Sequence, residues 1–205
     1  MEMNRRNFLK TTTAGAVGAI AMPSIIGAAE QSQGNIVLAF VGCAHIHTPG
    51  FINLLKSRKD VKVKYVWDHD TKRAERRANE LDCAAVNDAS KIWSDNEVVG
   101  VVICSETQLH PKLVADAAKS KKNMFVEKPL GIPGAESKKM AATIQDAGLL
   151  FTTGYFMRTD PKHIFLREQV AKGAFGKITR VRGSNCHSGS LGGWFDTEWR
   201  WMADP

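Results

Sequence analysis

The sequence has little cysteine, and its cysteines do not form a recognisable framework. Its 205 residues include four, with neither a C-x-x-C pair nor the spacing of a zinc site. Two of them fall at the ends of predicted buried strands, where a free thiol acts as a small hydrophobe. We therefore assign a structural role to Cys43, Cys83, Cys104 and Cys186, with a disulfide as the alternative.

Internal repeats, low-complexity tracts and basic arms are also lacking. The chain carries 28 Lys and Arg residues against 21 Asp and Glu residues, a formal net charge of +7. This surplus is spread along the chain and alternates with apolar positions, as on solvated helix faces. It forms no aromatic-interleaved stripe, so we expect no nucleic-acid partner. Hydrophobic residues at 43% are enough for a sizeable globular core.

No apolar run is a convincing membrane span, because the run over 14–26 is short and rich in Gly and Ala. It does follow Arg5 and Arg6, which stand just before a Phe-Leu-Lys sequence, and small residues at 27–29 offer a cleavage site. This is the pattern of a twin-arginine (Tat) export signal. We predict such a signal over residues 1–29, a periplasmic or otherwise exported protein, and no stable membrane insertion. A basic amphipathic helix is the alternative.

From residue 35 onward, short β-rich runs alternate with amphipathic stretches. We predict strands over 36–41, 61–67, 84–86, 98–104, 123–127 and 149–153. We predict helices over 48–58, 71–81, 89–93, 111–120 and 135–147. Alternation at this spacing indicates βαβ units around a parallel sheet. The predicted fold class is therefore α/β, a Rossmann-type doubly wound parallel sheet that forms an NAD(P)-binding domain over residues 34–155.

The character of the sequence changes after this domain. We predict a helix over 161–172, a Gly-containing turn over 173–176 and a strand over 177–185. One helix and one strand cannot bury a core of their own. We therefore expect residues 156–205 to be the beginning of a second α+β domain that is incomplete in this chain.

The loop after the first strand stands where a G-x-G-x-x-G loop binds a dinucleotide. It consists of Gly42, Cys43, Ala44, His45, Ile46 and His47. Gly42 permits the tight turn, a small residue at 44 lets backbone amides approach a pyrophosphate, and the following helix opens near Thr48 with free N–H groups. Because Ala44 and His47 replace the second and third glycines, this loop alone is a weak signal.

The two histidines of this loop also suggest a metal site. His45 and His47 are two positions apart and could both ligate zinc. No third ligand is evident at a fitting spacing from them. We therefore predict no metal, and assign both histidines to cofactor phosphate contacts or to the structure of the loop.

Asp68 follows the second strand, where an acidic residue accepts hydrogen bonds from the adenosine ribose. Its charge would repel a 2′-phosphate, which favours NAD. Lys72 or Arg73 could neutralise that phosphate, so NADP is the alternative. A helix N-cap role for Asp68 or Asp70 is also open.

Two further motifs make a resemblance specific. The first is the strand and loop that end in Ser105-Glu106-Thr107-Gln108-Leu109-His110, and the second is Glu127-Lys128-Pro129 after the next strand. In this order and spacing they resemble the Gfo/Idh/MocA family of glucose–fructose oxidoreductases and inositol dehydrogenases. The continuation is similar as well, with Arg158, Pro161, the turn over 173–178 and the pair Trp199-Arg200. The resemblance extends from residue 36 to residue 205.

The resemblance implies an NAD(P)-dependent oxidoreductase that transfers hydride between nicotinamide and a secondary hydroxyl of a sugar, cyclitol or related polyol. Lys128 matches the family lysine between nicotinamide and substrate, where an ammonium stabilises alkoxide-like charge. Glu127 would lie beside it near the cofactor. Ser105, Thr107 and His110 would line the cofactor cleft, although Glu106 stands where the family commonly has proline.

The resemblance also implies properties of a longer protein. The family's acid–base histidine lies in the second domain, which places it beyond residue 205, so we expect no turnover by this chain alone. We expect a homo-oligomer at full length. Two alternatives remain: a glycosidase of the same family that works by transient oxidation and elimination, and a non-catalytic dinucleotide-binding module.

Overall fold

A computed structural model describes residues 36–203. The predicted export signal over residues 1–29 lies outside the described residues. Within the described part, none of the helices combines the length and the apolar character that crossing a bilayer requires.

Six parallel strands form one sheet in the order β3-β2-β1-β4-β5-β6. The strands are β1 (Ile36–Val41), β2 (Val61–Trp67), β3 (Ala84–Ala85), β4 (Gly100–Ile103), β5 (Asn123–Val126) and β6 (Phe151–Thr153). This is the strand order of the doubly wound dinucleotide-binding fold, and it confirms the predicted fold class.

Six α-helices accompany the sheet within the described residues. They are α1 (Thr48–Ser57), α2 (Thr71–Leu81), α3 (Ser90–Ser94), α4 (His110–Lys119), α5 (Gly134–Asp146) and α6 (Pro161–Ala171). Short 3-10 turns form at Thr107–Leu109, Phe156–Arg158, Trp194–Asp196 and Arg200–Ala203. Every predicted helix is present to within a residue or two.

The core lies on both faces of the sheet because successive side chains of a strand point to opposite sides. Ala39 and Val41 of β1 pack on one face with residues of α4 and α5, whereas Phe40 packs on the other face with residues of α1 and α2. All three are fully buried. This double burial explains why β1 is a continuous apolar run rather than an alternating one.

The predicted strand over 177–185 is wrong. This stretch is exposed and has no regular structure. The sequence there has mixed polarity on both faces, so neither face has an apolar set to bury, and the described residues provide no neighbouring strand to pair its backbone groups. The predicted domain boundary between residues 155 and 156 stays a prediction.

Candidate functional site

The site is built at the point where the strand order reverses. Connections from β1 and β4 leave the sheet in opposite directions here, which opens a crevice at the carboxyl ends of these strands. Gly42 follows β1 with a φ of +83°, and a Cβ at this position would lie 2.4 Å from the Cβ of Ser105. Only glycine allows so close an approach between the two loops, which confirms its predicted role in the tight turn.

Backbone hydrogen bonds hold the loop over 42–47 against β4 and β2. His45 N–H donates to the Cys104 carbonyl at 2.9 Å, and Cys43 N–H donates to the Asp68 carboxylate at 2.6 Å. Among the hydrogen bonds of residues 36–203, the N–H groups of Ala44 and Ile46 donate to no acceptor. Two free amides at the start of α1 fit a pyrophosphate, as predicted for an anion at a helix N-terminus.

The start of α1 agrees with the predicted helix. The first helical residue is Thr48, and the capping position is His47 in αR conformation, without a side-chain cap. Thr48 is fully buried, so its hydroxyl faces the protein interior. The His47 side chain is free to point towards β5.

Asp68 holds the loop and a neighbouring arginine. Its carboxylate accepts bonds from Arg73 Nε at 2.9 Å and Arg73 Nη2 at 2.8 Å, in addition to the Cys43 N–H. Arg73 Nη2 also donates to Glu106 at 2.9 Å. Because the Asp68 side chain is fully buried behind Arg73, the surface of this triad that faces solvent consists of Arg73 and Glu106.

Of the two aspartates that could cap a helix, Asp70 does so and Asp68 does not. The Asp70 carboxylate accepts the N–H groups of Lys72 at 3.0 Å and Arg73 at 3.2 Å, which caps α2. These bonds lower the pKa of Asp70, whereas Asp68 stays available to position the loop.

Glu127 is a fully buried carboxylate between two histidines of the loop and its own chain neighbour. It bonds His47 Nδ1 and the backbone N–H of Lys128, and His45 Nδ1 lies 3.8 Å from its Oε1. Burial raises the pKa of Glu127, but these hydrogen bonds outweigh burial and leave its pKa below the ordinary value. Glu127 is therefore ionised at neutral pH.

Burial raises the pKa of a carboxylate such as Glu127 but lowers the pKa of an imidazole such as His45. It lowers the pKa of His45 to about 4, although the nearby Glu127 partly opposes it. His45 is therefore neutral at neutral pH. Burial also raises the pKa values of the Cys43 and Cys104 thiols, so neither is a reactive thiolate, and both are free cysteines.

The remaining predicted site residues lie at the same edge of the sheet but differ in accessibility. Lys128 is half-buried after β5. Ser105 is buried and its hydroxyl donates to the Glu106 carbonyl at 3.1 Å, and His110 is buried with its Nδ1 3.0 Å from the Leu130 carbonyl. Arg158 is exposed after β6, and the hydrogen bonds and ion pairs of the described residues do not join it to the others.

Trp201 forms one wall of the crevice, a position that the sequence does not predict. Its Nε1 donates to the Ala44 carbonyl at 3.3 Å, and its ring lies 6.2 Å from the His45 ring. Together with Thr107 and Pro129 it encloses a cavity of about 380 Å³ beside the loop. The only sequence signal was a cluster of tryptophans, which is equally typical of a core.

Comparison with known proteins agrees with this geometry. Residues 36–155 match the family model of the Gfo/Idh/MocA oxidoreductases, described as having an NAD-binding Rossmann fold. Among curated proteins, a scyllo-inositol 2-dehydrogenase (NAD(+)) from Bacillus subtilis is 30% identical over 132 residues, which are 64% of this chain and 39% of that protein. A 2,7-anhydro-N-acetylneuraminate hydratase from Mediterraneibacter gnavus is 26% identical over 141 residues, 69% of this chain and 36% of that protein.

A solved structure shares the fold. Myo-inositol 2-dehydrogenase from Lactobacillus plantarum superposes with a TM-score of 0.59 at 24% identity, over 70% of this chain and 43% of that chain. The chain thus spans less than half the length of each of these three relatives. The family match covers more than half of the chain. It agrees with the strand order and with the crevice described above. The chain belongs to the Gfo/Idh/MocA family of oxidoreductases, which bind NAD through a Rossmann fold.

Proposed function

We propose that this chain provides the cofactor-binding part of an enzyme that transfers hydride between NAD and a secondary hydroxyl of a sugar, cyclitol or related polyol. The observation that carries the proposal is the placement of Lys128. It follows β5 at the crevice, beside a buried Glu127 that binds its backbone N–H. Two free loop amides, at Ala44 and Ile46, face the same crevice and suit a pyrophosphate.

When bound in this crevice, NAD would supply the nicotinamide carbon that accepts or donates hydride. The role of Lys128 is electrostatic, because its ammonium stabilises the negative charge that grows on the substrate oxygen as hydride leaves the adjacent carbon. Glu127 orients Lys128 through the backbone. The Trp201 wall excludes water from one side of the cavity, which strengthens these charge interactions.

Replacement of the lysine tests its role in the full-length gene product. We expect Lys128→Met to lower kcat by about 10²- to 10³-fold, as for loss of one donor to a developing oxyanion. The affinity for NAD, measured by calorimetry, should change much less. Lys112→Met, at an exposed position on α4, is the matched control and should retain activity. Equal activity of Lys128→Met and Lys112→Met would contradict the proposal.

We also propose that the enzyme prefers NAD to NADP. Arg73 is bound by two carboxylates, Asp68 and Glu106, so the triad has a net negative charge that disfavours a 2′-phosphate. Glu106→Gln removes one carboxylate charge and should shift the ratio of NADP to NAD affinity towards NADP by about tenfold. Calorimetric titration with both nucleotides measures this ratio. The control Glu97→Gln, far from the triad, should leave the ratio of NADP to NAD affinity unchanged. An unchanged ratio in Glu106→Gln would contradict the role assigned to the charge of the triad.

A closed redox cycle is a second candidate, and the similarity to a hydratase favours it. In such a cycle the same enzyme oxidises the sugar, eliminates or adds a group, and reduces it again, so no free NAD is consumed. Product formation without added NAD, by full-length protein whose bound nucleotide is retained through purification, would support the closed cycle. A steady-state requirement for free NAD would support simple dehydrogenation.

We further propose export by the twin-arginine route and a second domain beyond this chain. The support is the Arg5-Arg6 pair before a small and apolar run, and the share of each relative that the chain spans. Cell fractionation tests export, because Arg5→Lys combined with Arg6→Lys should retain the protein in the cytoplasm. Unchanged export would contradict the proposal.

A further inference from the structure

Three potential metal ligands converge at the carboxyl ends of β1 and β5. One nitrogen each of His45 and His47 and one oxygen of Glu127 all lie within 4.8 Å of one another. His45 Nδ1 is 3.8 Å from Glu127 Oε1, and His47 Nδ1 contacts the same oxygen. No third ligand for the two histidines is evident from sequence spacing because Glu127 lies 80 residues beyond His47.

The protein holds this cluster in place. Glu127 is fully buried and is wedged against Gly154, where a Cβ would come within 1.9 Å of its Oε2. The His45 side chain is 1% exposed and its ring packs edge-on against the rings of His47 and Trp201. These contacts fix the donor atoms of Glu127 and His45 before any ligand arrives, as metal sites require.

A second observation indicates that the cluster is not satisfied by its own hydrogen bonds. His45 Nε2 is buried and has no hydrogen-bond partner among the described residues. A buried polar atom without a partner is costly, and most such atoms in proteins bind another group, a water molecule or an ion. The other ring nitrogen, Nδ1, accepts the His47 N–H at 3.2 Å and must give up this bond to ligate an ion, whereas the described residues leave Nε2 unused.

The donor set defines the class of ion. Two imidazoles and one carboxylate are the His₂Glu set of catalytic zinc sites and suit first-row divalent ions, whereas Mg²⁺ and Ca²⁺ prefer oxygen alone. Ligand bonds of about 2.0 Å place tetrahedral ligands about 3.3 Å apart. The 3.8 Å separation between His45 and Glu127 is near this value, and His47, which is partly exposed, can move away from the carboxylate to admit the ion.

We propose that His45, His47 and Glu127 form a binding site for a divalent transition-metal ion of the zinc class. The coordination positions that remain open face a cavity of about 600 Å³ that His47 and Glu127 line together with Phe51 and Tyr155. His45, the third ligand, lines the separate cavity of about 380 Å³ next to Trp201. The metal site goes beyond the proposed oxidoreductase function and does not depend on it.

Calorimetric titration with ZnCl₂ tests the site, on protein purified without a polyhistidine tag and treated with chelator. We expect one equivalent of Zn²⁺ to bind, and Co²⁺ to give a visible absorption band from a site of low symmetry. His47→Ala should weaken Zn²⁺ binding by at least about tenfold, the smallest loss seen when the environment of a metal is disturbed. Because His47 is partly exposed, His47→Ala should disturb the fold least. Circular dichroism checks that the variant is folded.

Two further variants separate this site from others. Glu127→Gln removes the carboxylate charge and should also abolish stoichiometric binding. His163→Ala is the matched control, because His163 is exposed and lies 3.7 Å from the carboxylate of Asp160, and it should bind Zn²⁺ like the wild type. Equal Zn²⁺ affinity of the wild type and His47→Ala, or no binding by the wild type, would overturn the proposal. NAD titration of the same samples shows separately whether the cofactor proposal holds.

Discussion

At Gly154 the backbone passes so close to Glu127 that no side chain fits between them. The Glu127 carboxylate in turn bonds His47 and the Lys128 N–H, so the glycine sets where the carboxylate can lie. The chemistry assigned to Lys128 therefore depends on a residue that carries no functional group. Such a dependence is common in sites where a buried charge must be held in one position.

We expect Gly154→Ala to lower the free energy of unfolding by about 1–3 kcal/mol, because the added methyl group forces Glu127 or the backbone to shift. Zn²⁺ and NAD affinities should fall with it. Gly134→Ala is the control, since a Cβ at Gly134 meets nothing within 4 Å. Urea denaturation of both variants measures the difference, and equal midpoints would contradict the tight approach seen at Gly154.

At the scale of elements, one residue, Asp95, joins the connection between α3 and β4 to two strands of the sheet. Asp95, just after α3, accepts hydrogen bonds from Lys64 Nζ at 2.5 Å, from the Tyr65 hydroxyl at 3.0 Å and from the Glu97 N–H at 2.9 Å. Its carbonyl accepts from Lys122 Nζ at 2.7 Å. The connection between α3 and β4 is thereby tied to β2 and to the start of β5.

We expect Asp95→Asn to lower the thermal midpoint at pH 7 because these bonds favour the ionised carboxylate. The hydrogen bond from Lys64 lowers the pKa of Asp95 to about 2. The stabilisation is therefore complete above the ordinary pKa of an aspartate and disappears as the pH falls from about 4 towards about 2. The gap between the two proteins should narrow over that interval in a melting series.

A control for this experiment is Asp116→Asn, whose Lys112 partner is exposed. An exposed pair of this kind contributes little, so its midpoint should stay near that of the wild type. A gap between Asp95→Asn and the wild type that stays constant down to pH 2 would contradict the assignment to ionisation.

The bounds of strands and helices were predictable from the sequence where a pattern of neighbouring residues determines them. The strand over 61–67 and the helix over 71–81 have the predicted bounds, because apolar alternation and a capping Asp70 are properties of neighbouring residues. The predicted strand over 98–104 is shorter in the structure, where β4 covers Gly100–Ile103 and Cys104 N–H donates to the Gly42 carbonyl of the loop. Tertiary contacts thus set the strand end that borders the site.

Contacts over long distances in sequence were not predictable. Glu127 and His47 are 80 residues apart, and Arg73 and Glu106 are 33 apart. The residue types at these positions indicated a cofactor crevice, but no spacing rule pairs a particular carboxylate with a particular imidazole or guanidinium. The resemblance to a family proposed site residues without giving their partners, and their roles stay predictions.

At the scale of the whole molecule, the segment over 194–203 packs against the dinucleotide-binding fold. Glu198 pairs with Arg76 of α2 at 2.5 Å, and Trp201 closes the cavity next to His45. Residues far along the chain thus form part of the wall around the predicted cofactor crevice.

We expect NAD binding to change the intrinsic fluorescence of Trp201, because a ligand in this crevice alters the polarity around the indole ring. Trp201→Phe should lose most of the change while NAD still binds by calorimetry. Trp93→Phe, at a partly buried position packed against the core, is the control and should retain it. A full change in Trp201→Phe would place the ligand elsewhere.

The separation between Glu127 and the loop also determines when the site can form during folding. Glu127 meets His47 only after β5 has paired with β4, and β4 with β1, and contacts of such long range form slowly. A ligand that binds only the finished sheet stabilises it by about 2.7 kcal/mol at a hundred times its dissociation constant. The appearance of metal or nucleotide binding during refolding should therefore report the completion of the central sheet, and a nascent chain shorter than 127 residues lacks Glu127 and cannot form the metal site.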